Sequence, residues 1–501
     1  MKQDSITGSM LYNLVECPHR VHLDLHGDIT MLGPVNAFVQ LLWDRGNAFE
    51  KEVMASLHEP FTDLSIYSDE EKEAKTLEAM QRGDGLIYSG RIRAGGLLGV
   101  PDLLRRTGGG YAAGDIKSGR GVEFEGDEEN GKPKKHYGVQ LALYTDILEN
   151  LGLSAGRLPF IWDVHGAEYV YDLNAPLGPR SPSLWELYQE NLITARQIVA
   201  CNAHTLAAMA SKCKLCQWYA VCMQDVIGRN DLTLIPELGR AKRDVMYRKI
   251  PSVRALAEAD VGDFLRHGDK TVFHGIGLKS LEKFQQRARL LSAEDARPMI
   301  TAPFTLPEAE VELFFDIETD PMRDICYLHG FTERVCGHSD NETYFAFTAE
   351  QPTAAKEKRA FEDAWRFLRS RPGAAVYYYS QYEKTYYKKL AAAYPDVVSV
   401  DEVEAFFASP LVVDLYSDIV KKCTEWPTYN HSIKTLARYL GFAWRDSDPS
   451  GASSIEWYHQ WVETGDDAIR KRILDYNEDD CKATRVVVDG VRGMVENKPS
   501  E

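Results

Sequence analysis

The sequence predicts a multidomain α/β protein, and three observations predict it. At 501 residues the chain exceeds what one hydrophobic core ordinarily organises, so two or three domains are expected. Residues 1–226 run from helical patterns into an alternating strand pair and back into a helix, and residues 308–501 begin afresh with an apolar strand followed by strands and helices in alternation. Between them, residues 227–307 read as helical and then Pro-rich, as a connector and linker do. A hydrophobic content of 44% and a charged content of 27% describe a soluble globular chain. No run approaches the length of a membrane helix, and Met1–Met10 lacks the apolar core of a signal peptide, so no membrane association is expected. A reducing cytoplasmic location is expected, and cysteines there are not read as disulfides. The net charge of −17 does not advertise a nucleic-acid binder, although acids gathered around divalent metals would leave that total uninformative.

The helical start, SMLYNLVECPHRVHLDLHG, reads as two short helices meeting at Cys17-Pro18, and NAFVQLLWDRGNAFEKEVMASL as a longer one with Glu50 four residues after Gly46. LLGVPDLL and YAAGDIKS are β-rich and joined by TGGG, which predicts a hairpin. Period-two geometry puts Asp115 and Lys117 on one face, and Asp102, late in the first strand, meets them across the pair. Two carboxylates and a lysine so placed suit a divalent metal and a group that activates water or steadies a phosphate; the plain alternative is a surface salt bridge. HYGVQLALYTDILENL follows as a helix with Gln140 and Tyr144 one turn apart.

Three of the nine cysteines fall in KCKLCQWYAVC, as Cys213, Cys216 and Cys222. The spacing C-x2-C-x5-C suits a metal or cluster, with Cys17 as the fourth sulfur, and leaves zinc and iron–sulfur both open. Such a clip would fasten the start of the chain to a point far downstream. By analogy with a disulfide it would remove unfolded-state entropy on the order of 4–5 kcal/mol.

In order, Gly46-x3-Glu50, GVPD, DIK and Q-x3-Y resemble the RecB-type branch of the PD-(D/E)XK nucleases, whose core is restriction-endonuclease-like. One cysteine before and three after that core are similar to its iron–sulfur members, among them the helicase–nuclease subunit AddB and the CRISPR-associated adaptation exonucleases. The resemblance implies that Asp102, Asp115 and Glu50 bind metal, that Lys117 assists the attacking water, and that Gln140 and Tyr144 support the site. Glu50 stands where many relatives carry histidine. The same resemblance favours a structural [4Fe–4S] cluster over Zn2+ on Cys17, Cys213, Cys216 and Cys222.

In the connector, GRAKRDVMYRK is basic and FHGIGLKSLEKFQQRARLL leads through Gly-Ile-Gly into a helix, which resembles a helix-hairpin-helix DNA-binding motif. Backbone N–H groups around Gly275 and Gly277 would face a phosphate, with Lys279, Lys283 and Arg287 recurring along one helix face. The alternative is an ordinary helical linker with a solvated basic face.

The last domain opens with VELFFDIETD, an apolar strand carrying Asp316 and Glu318 on one face. ICYLHGF and AAVYYYS are further strands, EKRAFEDAWRFLRS is helical, and another helix starts near Tyr382-Glu383. LVVDLYS puts Asp414 at a strand end, SIKTLARYLGF is a compact helix, and RILDYNEDDCKATRVVVDGV is a long helix with Tyr476 and Asp480 one turn apart. Carboxylates converging from separate elements suit two-metal phosphodiester hydrolysis. The D-x-E strand, a middle acid and Y-x3-D resemble the DEDD exonucleases, which have an RNase H-like fold. That resemblance implies Asp316, Glu318 and Asp480 as metal ligands and Tyr476 as the group orienting water, with Glu383 as the middle acid and Asp414 as the alternative fourth ligand.

The sequence therefore predicts a Mg2+- or Mn2+-dependent nuclease with two sites, acting on DNA, single-stranded by preference, with RNA as the alternative substrate. Repair, recombination or defence is the expected setting. No G-x4-G-K-[ST] occurs, so ATP hydrolysis is not expected and a helicase would act in trans. The rival expectation is a nucleic-acid-binding scaffold with vestigial sites.

Overall fold

The computed structural model describes residues 5–123, 131–266, 268–338, 342–447 and 449–496. Two compact units share the chain: Met1–Ala207 with Leu215–Val221, and Ala208–Lys214 with Cys222–Glu501. The stretch 227–307, expected as a connector of its own, lies within the second.

In the first unit, α1 (Gly8–Glu16) stops at Cys17, whose extended backbone also caps α2 (Pro18–His26). Pro18 has no N–H, which costs nothing at a helix's first position. Asn36 caps α3 (Ala37–Ser56) by accepting from the Phe38 N–H, and Ser68 with Glu71 forms a capping box on α4 (Asp69–Arg82).

Six strands form one sheet in sequential order: β1 (Thr62–Asp63), β2 (Leu86–Tyr88), β3 (Leu103–Thr107), β4 (Gly110–Ile116), β5 (Phe160–Trp162) and β6 (Glu168–Val170). The β3–β4 hairpin is the expected one, and Gly108 and Gly109 turn it with φ of +58° and +91°. LLGVPDLL, however, is not one strand. Pro101 cannot donate to a ladder, so Leu97–Gly99 leaves for a small separate sheet and Asp102 stands just ahead of β3.

Between β4 and the parallel β5 runs α5 (Lys135–Asn150), buried along most of its length and packed on α1 and on α6 (Leu184–Val199). Close approach to it explains Gly99, where a Cβ would lie 2.7 Å from the Tyr144 ring. Residues 215–221 return to the N-terminal helices through Trp218 Nε1, which donates to Asp24 at 2.7 Å, and through paired bonds between Gln217 and Gly33.

The second unit contains a helical hairpin, α7 (Val253–Glu258) against α8 (Leu278–Ser292), and a five-stranded sheet. Its strands are β7 (Val311–Asp320), β8 (Ile325–Val335), β9 (Glu342–Thr348), β10 (Ala375–Tyr378) and β11 (Val412–Asp414), in the order β9-β8-β7-β10-β11. The first three pair antiparallel; β10 and β11 add in parallel. The sheet is covered on both faces. Leu313, Phe315 and Ile317 pack under α9 (Ala354–Arg369) and α10 (Gln381–Ala393). Phe314 points the other way, into a core shared with α11 (Ile433–Tyr439), α12 (Gly451–Thr464) and α13 (Asp467–Glu496). Alternation along β7 therefore carries Asp316 and Glu318 to the α13 side. Among the described residues no helix is long and apolar enough to cross a membrane.

Candidate active site

Asp316, Glu318 and Asp480 each offer an oxygen within 4.8 Å of the others'. Among the described residues they are the one group of three or more metal-capable side chains so gathered. Asp316 is half-buried, and the other two are buried. Asn477, one turn before Cys481 on α13, donates from Nδ2 to Asp316 Oδ2 at 2.7 Å and accepts from the Tyr344 hydroxyl at 2.8 Å. It crosses β8 at Gly330, the strand partner of Asp316; a Cβ there would sit 1.6 Å from Asn477 Oδ1. Tyr327, 2.7 Å from Ser454 on α12, donates to Glu318 at 3.4 Å. Trp444 Nε1 donates to Asp480 at 2.7 Å. Lys434 on α11 donates to the Tyr476 hydroxyl at 2.6 Å and stands 3.7 Å from Asp480.

Burial and mutual repulsion set the charge state of the three acids. Burial first, then the charges of Asp480, Glu318 and Glu383, push Asp316 well above the usual carboxylate range. Glu318 rises to about 8 through burial and Asp480. Burial raises Asp480 too, against the pull of Lys434 and of bonds from Tyr476 and Trp444. Three acids that resist ionising together form a hard-oxygen donor set whose charge a cation would relieve, so the residues present fit Mg2+ or Mn2+.

Glu383, in the first turn of α10, is buried with Oε2 lacking a hydrogen-bond partner, and burial followed by Asp414 raises it to about 8. It is outside the triplet but close enough to act on Asp316. Asp414 is a different case. Its carboxylate accepts from the Ser380 and Ser417 backbone and from Gln381, capping the turn after β11, and it is not among the gathered oxygens.

Lys434, Asn477, Trp444, Tyr327 and Ser454 carry no role in the sequence reading. Lys434 was visible as the polar member of the SIK helix, and Asn477 lies inside YNEDD; the others touch the site only through the tertiary fold.

Residues 313–491 match the family model RNase_H_2, of the RNase H superfamily. They form an RNase H-like domain. That match suggests nucleic-acid processing as its work and is consistent with a divalent metal on the acid triplet. No curated protein matches the chain.

In the first unit, Lys117 Nζ lies 2.8 Å from Asp115, whose carboxylate is buried, so the pair is an internal one and not the surface bridge. Asp102 accepts from the Ile116 N–H at 2.8 Å. Burial, Asp115 and Glu50 raise Asp102 well above its ordinary value while Lys117 opposes them. Burial works against the Lys117 charge, yet Asp115 and Asp102 outweigh it and hold the ammonium above the ordinary lysine range. Glu50 pairs with the Tyr88 hydroxyl, and Gln140 donates to Tyr144 at 2.8 Å. These acids are neighbours but do not reach the mutual ligand distance of the triplet.

The basic stripe on α8 is corrected by the structure. Gly275 does turn at φ +74° and Gly277 does lead into the helix. Lys279 is exposed, but Lys283 pairs with Glu237 at 3.4 Å. Arg287 is buried, held by Glu425 at 2.7 Å and Glu237 at 2.9 Å. A helix that turns its basic face into its own protein cannot offer all of it to a phosphate.

Cys17 and Cys216 belong to the first unit, Cys213 and Cys222 to the second. The Cys17 sulfur accepts from the Arg20 N–H at 3.4 Å, and that of Cys213 from the Ala210 N–H at 3.3 Å. Among the described residues no three cysteines have sulfurs that all lie within 4.8 Å of one another.

Proposed function

We propose that the protein is a metal-dependent nuclease, exonucleolytic on single-stranded DNA, whose RNase H-like domain cleaves phosphodiester bonds at Asp316, Glu318 and Asp480. The convergence of those three carboxylates from β7 and α13 carries the reading. Mg2+ or Mn2+ bound there would supply Lewis acidity toward the phosphoryl group and lower the pKa of bound water. The chain's own residues do the rest. Asn477 fixes the Asp316 carboxylate, and Tyr327 with Ser454 fixes Glu318. Lys434 holds the Tyr476 hydroxyl as a donor toward Asp480, and its ammonium, 3.7 Å from Asp480, would offset negative charge developing on a phosphate bound beside the triplet.

A second nuclease site of the PD-(D/E)XK kind is proposed in the first unit. The buried Asp115–Lys117 pair, with Asp102 and Glu50 beside it, favours that reading over a solvated salt bridge. A [4Fe–4S] cluster on Cys17, Cys213, Cys216 and Cys222 belongs to the same proposal and is tested by iron content. A helicase acting in trans and a role in repair, recombination or defence complete it.

The test is a time course on end-labelled and circular single- and double-stranded DNA and RNA, with Mg2+ and with Mn2+. Asp316→Asn is expected to remove one activity and Lys117→Ala another. Cleavage unchanged in both variants would overturn the assignments. Tight, salt-sensitive binding without turnover would favour the scaffold instead.

A further inference from the structure

The short helix α11 carries two cations one turn apart, Lys434 and Arg438. Both lie against the ring of Trp444: Lys434 Nζ is 6.0 Å from its centroid and the Arg438 guanidinium carbon 5.5 Å. The same indole holds Asp480 through Nε1, so both cations stand beside the acid triplet. Lys214 comes from the cysteine-bearing stretch but belongs to the second unit, and it is close enough to both for their charges to act on it. We propose that Lys434, Arg438 and Lys214 form a phosphate track along which the backbone of a DNA strand lies as it enters the triplet. The track presupposes the nuclease reading of the triplet and adds to it how the strand beyond the cleaved bond is held.

The first support is a want of counter-charge. Among the described residues neither Arg438 nor Lys214 has an acid partner. Acids are not scarce in a chain of net charge −17, and nearby cations receive them. Arg445, next to Trp444, meets Asp475, Glu478 and Asp479 at 3.2, 2.8 and 2.8 Å, and Lys482 meets Glu478 at 2.7 Å. Arg438 and Lys214 keep their charge for an anion from outside.

The second support is repulsion. Like charges one turn apart weaken a helix. Burial first, then the charges of Lys434 and Arg438, push Lys214 below the ordinary lysine range. A polyanion laid across the three relieves both costs. Accessibility is the third. Arg438 and Lys214 are exposed, whereas Arg287 on α8 is neutralised inside by Glu237 and Glu425. An arginine fork suits phosphate oxygens, and contacts of this kind fix the strand's position without reading its bases.

Binding of a fluorescent oligothymidylate to the full-length protein, followed by anisotropy over a salt series without added metal, tests this. Arg438→Ala and Lys214→Ala are each expected to weaken binding several-fold and to make the slope of log K against log salt shallower by about 0.7. Arg438→Lys is expected to keep most of the affinity. Arg254→Ala, which removes an exposed cation paired with Glu258, is expected to leave affinity and slope as in the wild type. Wild-type affinity and slope in both Arg438→Ala and Lys214→Ala overturn the track, as does an equal loss in Arg254→Ala, the mark of net charge alone.

Turnover in Mn2+ gives a second reading. The p-nitrophenyl ester of thymidine 5′-monophosphate offers one phosphodiester and no strand beyond it. Arg438→Ala and Lys214→Ala are expected to hydrolyse it as the wild type does while losing kcat/KM several-fold on the oligonucleotide. Equal losses on both substrates overturn the track. Hydrolysis of neither substrate by the wild type overturns the nuclease reading alone, and the binding series then still decides the track.

Discussion

Asn477 shows how much of an acid site depends on a neutral residue. It is the donor to Asp316 and the acceptor from Tyr344, and the strand beneath it can only be glycine. Asn477→Ala removes a supporting bond and no ligand, so metal affinity is expected to fall about 10–100-fold while the fold persists; calorimetric Mn2+ titration reads it. Gly330→Ala drives a methyl group into the Asn477 side chain and is expected to cost about 1–3 kcal/mol in urea denaturation as well.

Glu383 makes a prediction of opposite sign. Its carboxyl is raised from 4.5 to about 8, so between those values the folded metal-free protein holds a proton that the unfolded chain has released. Stability is then present in full below pH 4.5 and falls as pH rises through about 8. Glu383→Gln is expected to match the wild type at the acid end and to exceed it at the alkaline end by roughly 3–5 kcal/mol. Parallel denaturation curves at both ends would refute this.

At the scale of elements, what was legible followed from period and punctuation. β7 and α13 were readable because an apolar strand ending in acids and a Y-x3-D helix each announce themselves, and the β3–β4 hairpin because consecutive glycines turn it. α12 was missed: its first turn holds two serines and its body three aromatic residues, poor helix formers whose period is hidden, although Ser450 and a left-handed Gly465 bound it cleanly. With it went Ser454. The stripe on α8 was legible in sequence but not in meaning, because nothing local tells that Glu237 and Glu425 lie opposite Arg287. Arg287→Ala leaves those acids without their buried partner and is expected to cost about 3–5 kcal/mol. Lys279→Ala, exposed on the same face, is expected to leave stability within about 0.5 kcal/mol and to weaken any DNA binding uniformly across sequences. A binding assay beside a thermal melt separates the two, and equal stability losses would contradict the distinction.

At the scale of the molecule, two units with separate hydrophobic cores carry unlike chemistry. The first holds its charge at a compensated pair, Asp115 with Lys117; the second holds a triplet whose members repel one another. A cation therefore has far more to gain in the second. Ligand binding to the folded state alone stabilises by RT ln(1 + [L]/Kd), about 2.7 kcal/mol when metal stands at 100 times Kd. Because Glu318 ionises only near pH 8, metal must displace its proton below that, and the stabilisation should shrink as pH falls toward 5. Calorimetry in Mg2+ is expected to raise the transition of the second unit at pH 8 and hardly at pH 5. Asp316→Asn should abolish that rise, and Lys117→Ala should lower the first unit's transition while leaving the Mg2+ effect on the second intact. A rise of equal size at both pH values, or one that survives Asp316→Asn, would mean that the stabilising metal sits elsewhere.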